Sequence, residues 1–428
     1  MVDRQKELAR LIESIVGGEH VITEPSIEID GCKPALLIKP GSCEEVARCL
    51  KACADANAAA IPAGSMTWLE CGNPLRRADV VLSLERMSRV IEYSSADLTA
   101  TVEAGMTLSE FNSITMRDGQ WLPLDPPGAS CASLGAIAAC DASGAMRFGY
   151  GTSRDYVIGL KLAHADGSES KSGGRVVKNV AGYDMNKLYV GSYGTLAVIT
   201  ELTFKLRPLP EASATVLVRS KYRGPLFLFA KRLMASELRP VSVVLTNQLS
   251  PDTDAPPSGD NGLLIRFMES ETAVKHQIDW VMRAVDGEIN ATELGEDESG
   301  SIWLRINEWH TLGRIALKVS MPLSAVATKF EEALQSPFGC VAAADIGTGI
   351  IRMAFDADDD LAIKIVHQLR NNVARVGGAV IIERAPVTVK QRADAWGDVG
   401  ATAKLMQSIK AKFDPKAILN PGRFVAGI

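Results

Sequence analysis

The stretch spanning residues 172–206 constrains the fold more than any other part of the chain. It ends in an apolar, β-branched run, Val198-Ile-Thr-Glu-Leu-Thr-Phe204, that reads as a buried strand. Gly173, Gly174, Gly182, Gly191 and Gly194 precede that run. A glycine beside a strand lets the backbone turn sharply or approach a neighbour closely, because no Cβ stands in the way. Each glycine alone is explained by a turn. Interleaved with Lys178, Asn179, Tyr183 and Asp184, the set points to a ligand site next to a strand.

With 46% hydrophobic and 23% charged residues over 428 positions, the chain can build a sizeable core and more than one domain. Nucleic-acid phosphates call for a basic field, so a formal net charge of −5 argues against such a partner. The eight cysteines include no C-x-x-C pair, so neither a zinc ribbon nor a cysteine-held iron–sulfur cluster is encoded. Cys49 and Cys53 share a helix face and read as small core residues. Residues 1–10 are too charged for a signal peptide, and no apolar run reaches membrane-spanning length. A cytoplasmic chain without a transmembrane segment is expected, any membrane association being peripheral and made through partners.

Residues 3–16 pattern as an amphipathic helix and 34–38 as a strand, and Ser42 with Glu45 opens a capped helix to about residue 57. A strand at 58–61 completes a strand–helix–strand unit, and Pro62-Ala-Gly-Ser-Met-Thr67 follows directly. The N–H groups and hydroxyls of such a turn suit a diphosphate without a lysine. No Gly-Lys-Ser/Thr and no G-x-G-x-x-G opens a helix, so P-loop and Rossmann sites have no support. Strands at 79–84 and 98–103 and a helix capped by Thr107 and Glu110 come next. Small residues then dominate 128–145, which suits either tight helix packing or, at Ser133, Gly135, Ser143 and Gly144, a bound polar ligand. An apolar strand at 156–165 turns back at Asp166-Gly167.

Four stretches together resemble the FAD-binding domain of the vanillyl-alcohol oxidase / p-cresol methylhydroxylase (PCMH-type) flavoproteins. They are residues 62–67; Asp125-Pro-Pro127 with Ser133-Leu-Gly-Ala136 and Ser143-Gly144; Arg154-Asp155; and the glycine-rich run 174–199. Within that superfamily, Lys178-Asn-Val-Ala-Gly-Tyr-Asp184 looks most like the FAD-binding E-type subunit of bacterial glycolate oxidase. The tail at 413–423, ending Asn420-Pro-Gly-Arg423, resembles the closing segment of the same FAD-linked oxidases. The resemblance implies an α+β chain in four parts: an N-terminal helix and lead-in (1–29), a PCMH-type two-subdomain FAD-binding domain (30–210), a cap or substrate domain (211–400), and a C-terminal FAD-contacting segment (401–428). By the same resemblance, Gly64, Ser65, Thr67, Ser133, Gly135, Ser143 and Gly144 would hold the diphosphate, with Pro62, Met66, Pro127 and Leu134 beside them. Ile199 would offer its backbone to the adenine or ribose end. Lys178 or Arg423 would reach the flavin ring, where negative charge collects on reduction. The 62–67 loop lacks the histidine through which some relatives attach the ring, so a non-covalent FAD is expected. Cys131 is the one thiol near a tethering position and reads as a packed residue.

After Pro208-Leu-Pro210, strand- and helix-like segments form two α/β passes, one over 214–285 and one over 314–383. They suggest an antiparallel sheet with helices on one face, ferredoxin-like, as in the family's cap domain. Relatives that oxidise 2-hydroxy acids carry histidine-rich motifs here. The corresponding segments read Asp345-Ile-Gly-Thr-Gly-Ile-Ile-Arg352 and Ile382-Glu-Arg-Ala-Pro386, without histidine, and none of the five histidines has metal-ligand spacing. Arg352, Glu383 and Arg384 are the candidates for binding a substrate carboxylate and acting as base; an exposed charge pair at a strand end explains them equally. The resemblance implies an FAD-binding oxidoreductase subunit of a glycolate-type 2-hydroxy acid oxidase complex. Its partners would be a homologous FAD subunit and an iron–sulfur subunit. A self-sufficient lactate or glycolate dehydrogenase and a flavin-stabilised structural subunit stand as alternatives.

Overall fold

The computed structural model describes residues 2–174, 183–247, 249, 261–335 and 339–428. The chain forms two compact units, one of residues 1–142, 152–209 and 398–428, the other of residues 143–151 and 210–397.

The first unit holds two sheets. Strands β1 (Val21–Thr23), β2 (Leu36–Ile38), β3 (Ala60–Ala63) and β4 (Val80–Ser83) form one in the order β1-β2-β4-β3, with β2, β4 and β3 parallel. The helix Cys43–Ala56 makes the crossover that parallel β2 and β3 require. Ser42 Oγ accepts from the Glu45 N–H at 3.1 Å and caps it. Val46, Cys49, Leu50 and Cys53 recur at helical spacing and are fully buried. Burial pushes the Cys49 thiol up to about 12, so this is packing and not ligand chemistry.

Strands β5 (Val90–Ser94), β6 (Thr99–Glu103), β8 (Val157–Ala163), β9 (Glu169–Gly173) and β10 (Val198–Lys205) form the second sheet, antiparallel in the order β5-β6-β10-β8-β9. A short ribbon pairs β7 (Gln120–Trp121) with β11 (Arg207–Pro208). The β8–β9 hairpin turns at Asp166-Gly167, where the Gly167 N–H donates to His164 O at 3.0 Å.

The chain's last segment returns to this unit. Ile418 O accepts from the Ala60 N–H at 2.8 Å, which lays the tail along β3. On the preceding helix, Thr402–Phe413, the Lys410 ammonium donates to Asp414 Oδ2 (2.6 Å), Thr195 O (2.7 Å) and Leu419 O (2.9 Å). One buried cation thus ties the tail to the turn that precedes β10.

In the second unit, β12 (Ala212–Ser220), β13 (Ser242–Thr246), β14 (Asn261–Glu269), β15 (Asn290–Glu293), β16 (Ile315–Ser320), β17 (Val341–Asp345), β18 (Ile350–Phe355) and β19 (Ala379–Arg384) form a single sheet. Its order is β15-β12-β14-β13-β17-β18-β16-β19, antiparallel throughout. Each half is a βαββαβ unit, the ferredoxin-like arrangement, and the halves join through β13 and β17. Helices Arg223–Met234, Glu271–Ala284, Leu323–Leu334 and Asp359–Ala374 cover one face, where Val243, Leu245, Leu317, Ile351 and Met353 are buried. A further helix, Glu296–Asn307, covers part of the opposite face, with Trp303 packed against Leu217, Val244 and Leu264. Helices therefore lie on both faces of the sheet, not on one. No helix of the described residues is long and apolar enough to cross a membrane.

Candidate functional site: an FAD groove

The groove forms where β3 ends. The loop leaving it, Gly64 to Thr67, carries four peptide N–H groups with no partner among the described residues. Met66 adopts φ 60°, a left-handed step of the kind found in backbone loops that bind anions through successive N–H groups. Ser133 lies against it: a Cβ added at Gly64 would sit 1.8 Å from Ser133 Oγ. The two loops therefore touch as walls of one groove only because residue 64 is glycine. About 770 Å³ of atom-free space, part of it open to solvent, runs between them.

Pro62, Gly64, Met66, Thr67, Ser133, Gly135, Ile199 and Arg423 all line this space. Gly135 contributes room, because its N–H is already donated to Ala104 O at 2.8 Å and a Cβ there would meet Ala104 at 2.8 Å. Ser65 is exposed and Pro127 half-buried, and neither borders the groove. Leu134 is fully buried in the core, where an aliphatic side chain gains most. Ser143 and Gly144 belong to the second unit, where Ser143 O accepts from Arg352 Nη2 at 3.1 Å. Lys178 lies outside the described residues.

Arg423 is 3% exposed and donates to Asp30 Oδ2 (2.6 Å), Asn73 O (2.9 Å) and Leu69 O (2.5 Å). It thereby fixes the chain following the Gly64–Thr67 loop as well as bordering the groove. No acidic side chain lines the groove among the described residues, which suits a ligand carrying a diphosphate. Cys71, Cys140, Tyr193 and Asn420 also line it and escape sequence reasoning. The Asn420 neighbourhood had a signal, the Asn-Pro-Gly-Arg tail; the cysteines had none. Cys131 is exposed, its Sγ 3.5 Å from Gly128 O, and so is not a packed thiol.

In the second unit, Arg352 on β18 stands directly opposite Lys318 on β16. Arg352 is 4% exposed. Lys318 Nζ lies 4.0 Å from Glu383 Oε1. Lys318 was legible as the single charge within the apolar strand Ile315–Ser320. Arg384 points elsewhere: it is exposed and donates to His310 O at 3.2 Å. Asp345 is 1% exposed, and burial raises its carboxyl above the usual range.

A free-donor loop after a parallel strand, a glycine-spaced facing wall and a returning tail, with a ferredoxin-like second unit, define a PCMH-type flavoprotein fold. The comparisons agree. Residues 34–172 match the FAD binding domain model and residues 347–424 match that of FAD linked oxidases, C-terminal domain. A probable mitochondrial D-lactate dehydrogenase of Danio rerio is 28% identical over 92% of this chain and 84% of that protein. The glycolate oxidase subunit GlcD of Bacillus subtilis is 35% identical, over 43% of this chain and 39% of its own length. The structure of p-cresol methylhydroxylase with substrate bound superposes with a TM-score of 0.77 at 15% identity, covering 99% of this chain and 97% of that one. The two matched domains mark the chain as an FAD-linked oxidoreductase, and its cofactor is FAD. The groove fits that cofactor: it has unengaged donors for a diphosphate and a wall that tolerates no extra carbon.

Proposed function

We propose that the chain oxidises a short 2-hydroxy acid of the glycolate or lactate kind, and that Arg352 with Lys318 recognises the carboxylate. The observation that carries this reading is the pair itself, a buried guanidinium opposite an ammonium on adjacent strands. Two cations side by side suit a carboxylate, and a planar guanidinium can hold both its oxygens. The names of the relatives support the substrate class. Bound FAD supplies the acceptor for the hydride leaving C2. Glu383, close to Lys318, is the residue we assign to receive the hydroxyl proton. Gly64, Met66 and Thr67, which border the groove, would hold the diphosphate through their N–H groups, and Arg423 keeps the neighbouring chain in place.

A second reading places this chain in a complex, as the E-type subunit beside a homologous FAD subunit and an iron–sulfur subunit that accepts the electrons. The match to a glycolate oxidase subunit favours it. Anaerobic absorption spectra of the purified chain with glycolate, D-lactate and D-2-hydroxyglutarate test both. Bleaching of the flavin band by one acid, with Arg352→Met raising KM about 30-fold or more (about 2 kcal/mol), supports the first reading. Bleaching only after partner subunits are added supports the second. A flavin that dithionite reduces but no acid does, alone or in complex, overturns both.

A further inference from the structure

The groove contains a polar atom that the protein does not satisfy. Asn420 is 8% exposed, and its Oδ1 is buried without a hydrogen-bond partner. The orientation of this amide is not arbitrary. Its Nδ2 donates to Tyr193 O at 2.7 Å, and a flipped amide would set oxygen against oxygen. Oδ1 must then be the acceptor left over. Asn420 also holds φ 43°, a left-handed conformation in which asparagine is tolerated better than most residues. Its backbone N–H donates to Ala60 O at 3.2 Å, so the residue is fixed to β3. A buried acceptor held rigidly and left unmatched is costly unless a ligand completes it.

We propose that Asn420 is a cofactor-binding residue whose Oδ1 accepts a hydrogen bond from a hydroxyl of bound FAD. The proposal rests on the groove being the FAD site. Asn420 borders the groove with Pro62, and a Cβ at Gly194 would lie 3.1 Å from Asn420 Nδ2 and 3.6 Å from Pro62. Gly64, where the free N–H groups begin, is two residues further along. In FAD the groups that flank the diphosphate are the ribityl chain on one side and the ribose on the other. Both present hydroxyl donors, and the phosphates present none.

Apoprotein titrated with FAD and with two analogues, one lacking a ribityl hydroxyl and one lacking the ribose hydroxyls, tests this by flavin fluorescence. Wild type should bind one analogue about threefold to tenfold more weakly than FAD, the ordinary worth of one hydrogen bond. Asn420→Ala should lose that discrimination, and Asn420→Gly serves if the alanine variant does not fold. Asn420→Asp keeps an acceptor, so it should still discriminate while binding all three ligands more weakly. The analogue that is penalised identifies the sugar. Equal discrimination in wild type and in the alanine or glycine variant, or none in wild type, overturns the proposal. Normal FAD binding by Gly64→Val would instead refute the groove itself.

Discussion

Lys410→Met removes a cation while keeping the length and most of the volume of the side chain. The ammonium has three donors, and all three are used, on Asp414, Thr195 O and Leu419 O. Burial pulls its pKa below the ordinary lysine value, with Asp414 pulling the other way. The variant would leave the Asp414 carboxylate fully buried with only the Ile418 and Leu419 N–H groups for company. Breaking one partner out of a buried pair costs about 3–5 kcal/mol. At about 2–4 °C per kcal/mol for a unit of this size, the melting temperature should fall by roughly 6–20 °C. Thr195 follows Tyr193 and Gly194, which line the groove, so FAD affinity should fall too, by about tenfold or 1.4 kcal/mol. Thermal unfolding of the apoprotein and fluorescence titration with FAD read the two effects separately. Lys410→Met/Asp414→Leu, which removes both charges, should recover a large part of the stability. A single variant that melts within about 2 °C of wild type and binds FAD normally would refute the view that this pair holds the turn.

Gly64→Val should abolish FAD binding, because its side chain has no space beside Ser133; a normal flavin-to-protein ratio after purification would contradict this. His164 is half-buried, stacked on Phe413, and burial lowers its pKa below 6.5. The unfolded chain therefore binds a proton at a higher pH than the folded one, so stability should fall as pH drops below about 6.5 toward the folded value. Urea unfolding at pH 7.5 and 5.5 should show a larger loss for wild type than for His164→Gln, and equal losses would dismiss the imidazole as a cause.

Local chemistry made much of this protein readable before any coordinates. Ser42, Thr107 and the Asp166-Gly167 dipeptide announce their helices and hairpin, because capping and turn formation involve only neighbours in the chain. The 62–67 loop was legible as a run of backbone donors for the same reason: its N–H groups belong to consecutive residues. Besides the helix Glu296–Asn307, the elements missed include strands whose identity depends on distant partners. Val341–Asp345 is rich in alanine and becomes a strand because β13 and β18 flank it, and Asn290–Glu293 is a polar edge strand held by β12 alone.

Sequence by itself determined most of the strand–helix alternation of the second unit, the glycine positions and the donor-rich loop after β3, since each is written in neighbouring residues. Tertiary structure alone decided which small residues line the groove: Gly135 supplies space, Leu134 serves the core, and Ser143 joins the second unit. It also decided the partners of Arg423, Lys410 and Asn420, which lie far away in the chain. A buried charge or amide is defined by whatever it meets in space, and contacts between residues hundreds of positions apart have no signature in the residues between them.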